Sequence, residues 1–309
     1  MRIACLTLII LCIYAAHRPL AQEDRQTSAG PSLDLKSQMS IGTIHDSNVS
    51  IKEIDSQSKE SDTARLLGVR LSASTKLGKF ELDSSYSFNQ SKYRSFSNYN
   101  RESNILGIEV SRSLLGFRSG LSYHKADAKL GNEDFLELER WSPYFSRFFT
   151  KRTYFRTSFI DQTKIIIPRP GQSTKSESIT LDAYYFQNGL RKYFNLGATI
   201  RQEKASTNRY SNRSNIIRLR MLGRIRIIKS EIRYEISWNY EEKDFNEVWP
   251  RSDNERLDKK HSFRLKLSYP LSKSITGEVY TNFVDSDSSV SYASFDEKVV
   301  GVKSTLSID

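Results

Sequence analysis

From residue 32 to its end, the chain alternates apolar and polar residues with a period of two. Leu33, Leu35, Met39 and Ile41 alternate with Asp34, Lys36, Gln38 and Ser40. Phe80, Leu82, Tyr86 and Phe88 alternate with Glu81, Asp83, Ser85 and Ser87. The pattern recurs in Phe194, Leu196, Ala198 and Ile200, in Ile217, Leu219 and Met221, and in Ile232, Tyr234, Ile236 and Trp238. It returns in Phe263, Leu265, Leu267 and Tyr269 and lastly in Val300, Val302, Leu306 and Ile308. Alternation of this kind marks strands with one apolar and one polar face, and no comparable stretch shows the helical period. It predicts about fourteen strands, over 32–43, 64–75, 80–89, 102–112, 117–125, 135–147, 152–161, 177–186, 193–202, 214–227, 231–241, 260–271, 275–284 and 297–308. Each is close to the roughly 9–11 residues that carry a tilted strand across a bilayer. The sixth is the least regular, because its phase breaks around Trp141-Ser142-Pro143.

The connections sharpen this reading. Those after the even-numbered strands are tight, as in Leu114-Leu115-Gly116, Asn188-Gly189-Leu190 and Ser272-Lys273-Ser274. Those after the odd-numbered strands are long and polar, as in Ile44 to Thr63 and Glu242 to Leu257. Outer-membrane barrels sort their loops in this way, with short periplasmic turns and long external loops, whereas a soluble two-sheet protein has no reason to do so. The expected fold is all-β: a transmembrane antiparallel up-and-down β-barrel of about fourteen strands, filling 32–309, with both termini periplasmic. Asp309 departs from the aromatic residue that often ends such barrels.

Composition is consistent with that architecture. With 38% hydrophobic and 27% charged residues, no stretch reaches the roughly 18 apolar residues of a spanning helix. Sixteen Tyr, 16 Phe and 3 Trp exclude wholesale disorder. At the N-terminus, Arg2 precedes an apolar run from Ile3 to Ala16, followed by a polar turn after Ala21, which reads as a secretory signal peptide over 1–21. Cleavage is expected after Ala21, with Ala16 the other candidate; 22–31 would then be a short periplasmic segment. Both cysteines, Cys5 and Cys12, lie in the signal segment. The expected mature chain therefore has no disulfide, thiolate metal site or cysteine nucleophile.

In lipid the apolar set of each strand must face outward. Tyr234, Trp238, Tyr240, Tyr269, Tyr123 and Phe283 fall on that set near strand ends, where aromatic girdles form. The inward set is basic by count: Lys36, Arg70, Arg118, Arg156, Arg201, Arg218, Arg220, Arg224, Arg226, Arg233, Arg264, Lys266 and Lys303. Against it stand Asp34, Glu81, Asp83, Glu109, Asp182, Glu235 and Glu278. Eight of the basic residues (Arg201, Arg218, Arg220, Arg224, Arg226, Arg233, Arg264 and Lys266) cluster on strands nine to twelve as a lumenal wall, while Glu81 and Asp83 lie on strand three. Such a wall attracts anions and orients polar solutes. The competing reading is structural filling, in which arginines and carboxylates pair across strands.

Little else points to chemistry. His45, His124 and His261 are scattered, with no metal-ligand spacing, phosphate-cradling glycine loop or dinucleotide fingerprint. No cofactor and no nucleic-acid partner is expected; external Lys and Arg are expected to meet outer-membrane lipid and lipopolysaccharide phosphates. His45-Asp46-Ser47-Asn48 is the one string worth weighing as a nucleophile, since a Ser beside an imidazole is the logic of acyl hydrolysis. Its His-x-Ser-Asn form resembles the motifs of outer-membrane phospholipases and lipid A deacylases. Asp46-Ser47-Asn48-Val49-Ser50 is echoed by Asp287-Ser288-Ser289-Val290-Ser291 without a histidine, which favours a way of leaving a strand.

A wider resemblance runs along most of 32–309 in layout. The opening strand leading into Asp-Ser-Asn-Val, the Arg256-Leu257-Asp258 strand, the Ser-Tyr-Pro-Leu-Ser turn at 268–272 and the Tyr280 hairpin ending in Asp285-Ser286-Asp287-Ser288 carry it. They resemble the barrel domains of surface lipoprotein assembly modifiers and the barrels of exopolysaccharide exporters. The resemblance implies a non-enzymatic outer-membrane channel that acts as the passage of an export or surface-assembly system for an anionic or polar client. A periplasmic partner would then supply the client-binding domain that those families usually carry before the barrel. An anion-preferring general diffusion porin is the alternative, and a lipid hydrolase using His45 and Ser47 is the third reading.

Overall fold

A sheet whose outward set is continuously apolar and whose edge strands would otherwise be bare has one stable solution in lipid, which is closure on itself. The computed structural model describes residues 33–227, 230–249 and 255–308, and in it fourteen antiparallel strands form a closed barrel. They are β1 (Leu33–Asp46), β2 (Asp62–Leu77), β3 (Phe80–Tyr93), β4 (Arg101–Leu114), β5 (Phe117–Leu130), β6 (Glu133–Phe148) and β7 (Thr153–Ile166). The second half comprises β8 (Thr174–Phe186), β9 (Tyr193–Ala205), β10 (Asn212–Ile227), β11 (Ser230–Val248), β12 (Glu255–Pro270), β13 (Ile275–Ser288) and β14 (Phe295–Ile308). Each strand pairs with its sequence neighbours, and β1 closes the circle on β14, from Ser37 opposite Ile308 to Asp46 opposite Val299. The expected signal peptide at 1–21, the segment 22–31, Arg251 and Asp309 lie outside the described residues. No described helix is long and apolar enough to cross a membrane.

Strand number and loop alternation match the expectation, but the strands are longer. β8 has 13 residues and β11 has 19, so the connections expected at 44–63 and 242–257 shrink. Above the apolar rows the ladder continues with polar residues outside, such as Arg65 opposite Lys92 and Glu177 opposite Gln202. Hydrophobic alternation ends there, while backbone pairing does not. Both ends of the barrel wall, Leu33 and Ile308, lie at the tight-turn end, where Leu33 faces Thr75 near the β2–β3 turn. One of these turns places Leu115 and Gly116 at φ 51° and 78°, the double left-handed backbone of a type I′ hairpin.

The outer surface is an apolar belt: Ile41, Ile179 and Ile200 are 58, 60 and 56% exposed. Water would penalise a patch of that extent, whereas lipid accommodates it. The phase break of the sixth strand has a local cause. β6 runs unbroken, but Tyr144 faces inward, where its hydroxyl donates to Glu109 (2.5 Å) and its ring lies over Gly120. Any Cβ at position 120 would sit about 2.6 Å from that ring. Pro143, with no N–H to give, falls in the two-residue gap of the β6–β7 ladder between Trp141 and Tyr144.

Candidate functional site: an arginine-lined lumen crossed by the first loop

The inward set can be followed through the register. Arg218 lies opposite Gly197 on β9 and Asn239 on β11, and Glu235 lies opposite Leu222 and Lys266. All eight residues of the expected wall share this face, alternating with lipid-facing Leu196, Ile217, Leu219 and Leu267. The structure adds carboxylates between them. Arg201 pairs with Glu241 at 2.5 Å, Arg218 with Asp182 at 3.4 Å, Arg220 with Glu235 at 3.0 Å and Arg224 with Glu231 at 3.1 Å. Lys266 reaches Glu235 at 3.3 Å, and Lys303 reaches Glu278 at 2.8 Å. Arg226, Arg233 and Arg264 make no ion pair among the described residues; Arg264 instead lies 5.3 Å from the Tyr280 ring centre. Across the barrel, Glu81 is held by Arg118 at 2.8 Å. Five of the eight wall residues are thus paired with carboxylates, as cross-strand filling predicts, and three are not.

Two further inward cations stand on β6 and β7, Arg156 facing Asp182 across the β7–β8 ladder. Arg140 and Arg156 make no ion pair among the described residues, and the charges of Arg156, Arg201 and Arg218 all act on Arg140. Beneath this group lie buried small hydroxyls: Ser158, Ser178, Thr180 and Thr199. Arg218 Nη1 donates to Thr199 Oγ1 (3.1 Å), Thr199 and Thr180 share a 2.8 Å bond, and Arg156 Nε donates to Ser158 Oγ (3.4 Å). The Arg156 guanidinium also stacks 3.7 Å from the Tyr144 ring centre. Small side chains let the long ones lie across them, and Arg140 Nε is buried with no partner. Arg140 escaped the sequence reading because the phase of its strand looked broken just beyond it. Its two-residue offset from Ser142 and four-residue offset from Tyr144 were the available signal.

Two polar spaces open toward the tight-turn end. One, of about 730 Å³, spans the lumen between Arg70 and Asn89 on one side and Arg224, Arg233, Glu278 and Lys303 on the other. The second, of about 420 Å³, lies between Asp34, Lys36, Asp83 and Glu109.

At the opposite end the connection 47–61 turns inward. It carries a short ladder, Ser50–Ile51 with Ser56–Gln57, around a single 3-10 turn. Ile51 and Ile54 pack with Phe135 of β6 and Ile166 of β7, while Val49 packs with Ala64 and Tyr93. Its polar anchors reach the rest of the circumference. Ser50 Oγ donates to Glu297 (2.8 Å), Arg101 donates to the Ser50 carbonyl, and Arg169 Nη1 donates to the Ile54 carbonyl (2.6 Å). Asp55 accepts two bonds from Arg256, at 2.8 and 3.2 Å. Arg256 is buried, also bound to Asp258 and stacked on Phe245 and Trp249. A loop that leaves β1 and touches inward residues of β4, β6, β7, β12 and β14 crosses the lumen.

His45 and Ser47 are not joined. His45 Nδ1 is 3.5 Å from Thr63 Oγ1, whereas Ser47 is stitched to β14, its N–H donating to the Lys298 carbonyl and its hydroxyl accepting from the Lys298 amide, both at 2.9 Å. That is the strand-exit geometry expected of an Asp-Ser-Asn segment. Among the described residues no cluster of His, Cys, Asp and Glu suits a metal ion.

No family profile matches the chain, and no curated protein sequence matches it. Solved structures do. The outer membrane channel DcaP of Acinetobacter baumannii aligns over 92% of this chain and 99% of its own, at 9% identity and a TM-score of 0.54. An anion-selective porin from Comamonas acidovorans aligns over 90% and 100%, at 12% identity and 0.52. OmpT of Vibrio cholerae, an outer-membrane protein, aligns over 92% and 100%, at 7% and 0.52. At such identities the likeness is one of fold. Together with the apolar belt it defines the class: the chain is a fourteen-stranded transmembrane β-barrel of the bacterial outer membrane, sharing its fold with porins and channels.

Proposed function

We propose that this barrel is an outer-membrane channel that passes small anions, with the 47–61 loop as its constriction. The carrying observation is the group Arg140, Arg156, Arg201 and Arg218, in which Arg140 and Arg156 make no ion pair among the described residues and Asp182, the carboxylate across from Arg156, is paired with Arg218. In a confined, partly desolvated passage such charges set ion preference. The shared fold of an anion-selective porin supports the reading. The tight turns and both ends of the barrel wall would face the periplasm, leaving the 47–61 loop outside. The test is conductance of the refolded chain in a planar bilayer under a salt gradient. Anion preference that falls or reverses in Arg140→Glu/Arg156→Glu is expected; cation preference in the wild type would overturn the proposal.

The second reading is the passage of an export or surface-assembly system, working with a periplasmic partner. The inward loop favours it, because a barrel crossed by its own loop is poised to stay shut until a partner or client displaces that segment. A wild-type barrel that conducts steadily by itself would remove this reading.

A further inference from the structure

Outside the barrel, at the long-loop end of β1–β3, like charges face each other. Arg65 and Lys92 are direct partners across β2 and β3, and both are exposed on the lipid-facing set. Arg94, also exposed, follows two residues beyond Lys92, its amide bonded to the Thr63 carbonyl at 2.9 Å. None of the three makes an ion pair among the described residues. Asp62 acts on Arg94, but its carboxylate is already taken by the amides of Thr63, Ser95 and Phe96. The flanking carboxylates, Glu102 on β4 and Asp296 on β14, stand at the edges of this sector.

The height of the group matters as much as its sign. The row Thr43–Arg65–Lys92 lies one outward step above Ile41–Leu67–Gln90, and below that Met39, Val69 and Phe88 continue the apolar belt. The cations therefore begin where the lipid-facing surface stops being apolar. Some outward cations at this end are balanced, as in Lys125 with Glu139 (3.0 Å) and Lys129 with Asp134 (3.6 Å). Lys175 and Lys204 also face each other, across β8 and β9, but of the two pairs only Arg65–Lys92 includes an arginine and is followed along its own chain segment by a third cation, Arg94. Like charges opposed across a strand pair are destabilising, and a phosphate, which Arg grips through two parallel bonds, removes the conflict.

We propose that Arg65, Lys92 and Arg94 form a docking site for the phosphate of a phosphorylated lipid headgroup in the leaflet at the long-loop end. The inference is independent of what the lumen conducts. It is tested on the full refolded chain in detergent, incubated with lipid A or with lipid A stripped of its phosphates, by native mass spectrometry. The phosphorylated form is expected to be retained at least tenfold more, and Arg65→Gln/Lys92→Gln should reduce its retention to that of the stripped form. A control Lys125→Gln/Lys129→Gln pair, whose charges Glu139 and Asp134 already balance, should leave retention unchanged. Circular dichroism confirms that each variant is folded. Equal retention of the two lipids, wild-type retention by the Arg65/Lys92 variant, or displacement of the lipid by an equal concentration of inorganic phosphate would each overturn the proposal.

Discussion

The 47–61 loop offers the most direct test of the lumenal reading. Its far anchor is the bidentate bond between Asp55 and the buried Arg256. Removing Arg256 would strand both Asp55 and Asp258 and cost about 3–5 kcal/mol, enough to confuse loop release with misfolding. Asp55→Asn is the finer perturbation. It keeps the side-chain shape and one acceptor, and Arg256 retains Asp258 at 2.7 Å. What goes is the charge-assisted part of the contact, roughly 1.5–3 kcal/mol for a hydrogen bond to a charged group. Since 1.4 kcal/mol is a factor of ten, displacement of the loop should become about ten- to a hundredfold more frequent. Single-channel recording reads this as open probability. The Ser50–Glu297 bond and the Ile51/Ile54 contacts remain, so openings should multiply without the channel becoming permanently open. Identical open probability and conductance in Asp55→Asn and wild type would refute the idea that this pair holds a constriction.

Three further outcomes follow from the geometry. Leu196→Arg, which puts a charge into the belt at a residue 51% exposed to lipid, should lower barrel stability by about 2–4 kcal/mol in urea unfolding from vesicles; an unchanged midpoint would contradict the placement of the belt. Gly120→Val should strip Tyr144 from its bond to Glu109 and push Arg156 out of its stack, seen as a shift in ion selectivity with the barrel still folded; unaltered selectivity would mean that Tyr144 does not position the arginines. Ser47→Ala should leave phospholipid hydrolysis in reconstituted vesicles at the background of the wild type, since His45 does not reach Ser47, and a Ser47-dependent activity would revive the hydrolase reading.

The barrel was legible because lipid enforces a simple rule, apolar out and polar in, on every strand, and because tight turns alternate with long loops. Where that rule stops applying, so did the reading. The upper parts of β1, β2 and β11 continue the ladder without outward apolar alternation, and β6 hid its phase because Tyr144 spends an aromatic ring on the inward side. The eight basic wall residues and the inward Asp182 and Glu235 were visible as residues, but two of the partners were not. Glu231 and Glu241 meet Arg224 and Arg201 only through the β10–β11 and β9–β11 geometry, which period-two patterns do not encode. The inward course of 47–61 was least accessible, because nothing in a polar connection announces that Asp55 will find an arginine 201 positions away.

The same loop also binds the first strand to the last. Ser47 and Lys298 exchange two bonds, Asn48 donates to the Asp296 carbonyl at 3.0 Å, and Ser50 reaches Glu297. A chain that lays down its hairpins in order has β1 waiting for β14, so the loop cannot take its final seat until the circle is complete. The passage is consequently obstructed only in a finished barrel. Conversely, any force that parts β1 from β14 also pulls on the segment lying across the pore. Wall and stopper share one seam, and neither can be opened there without disturbing the other.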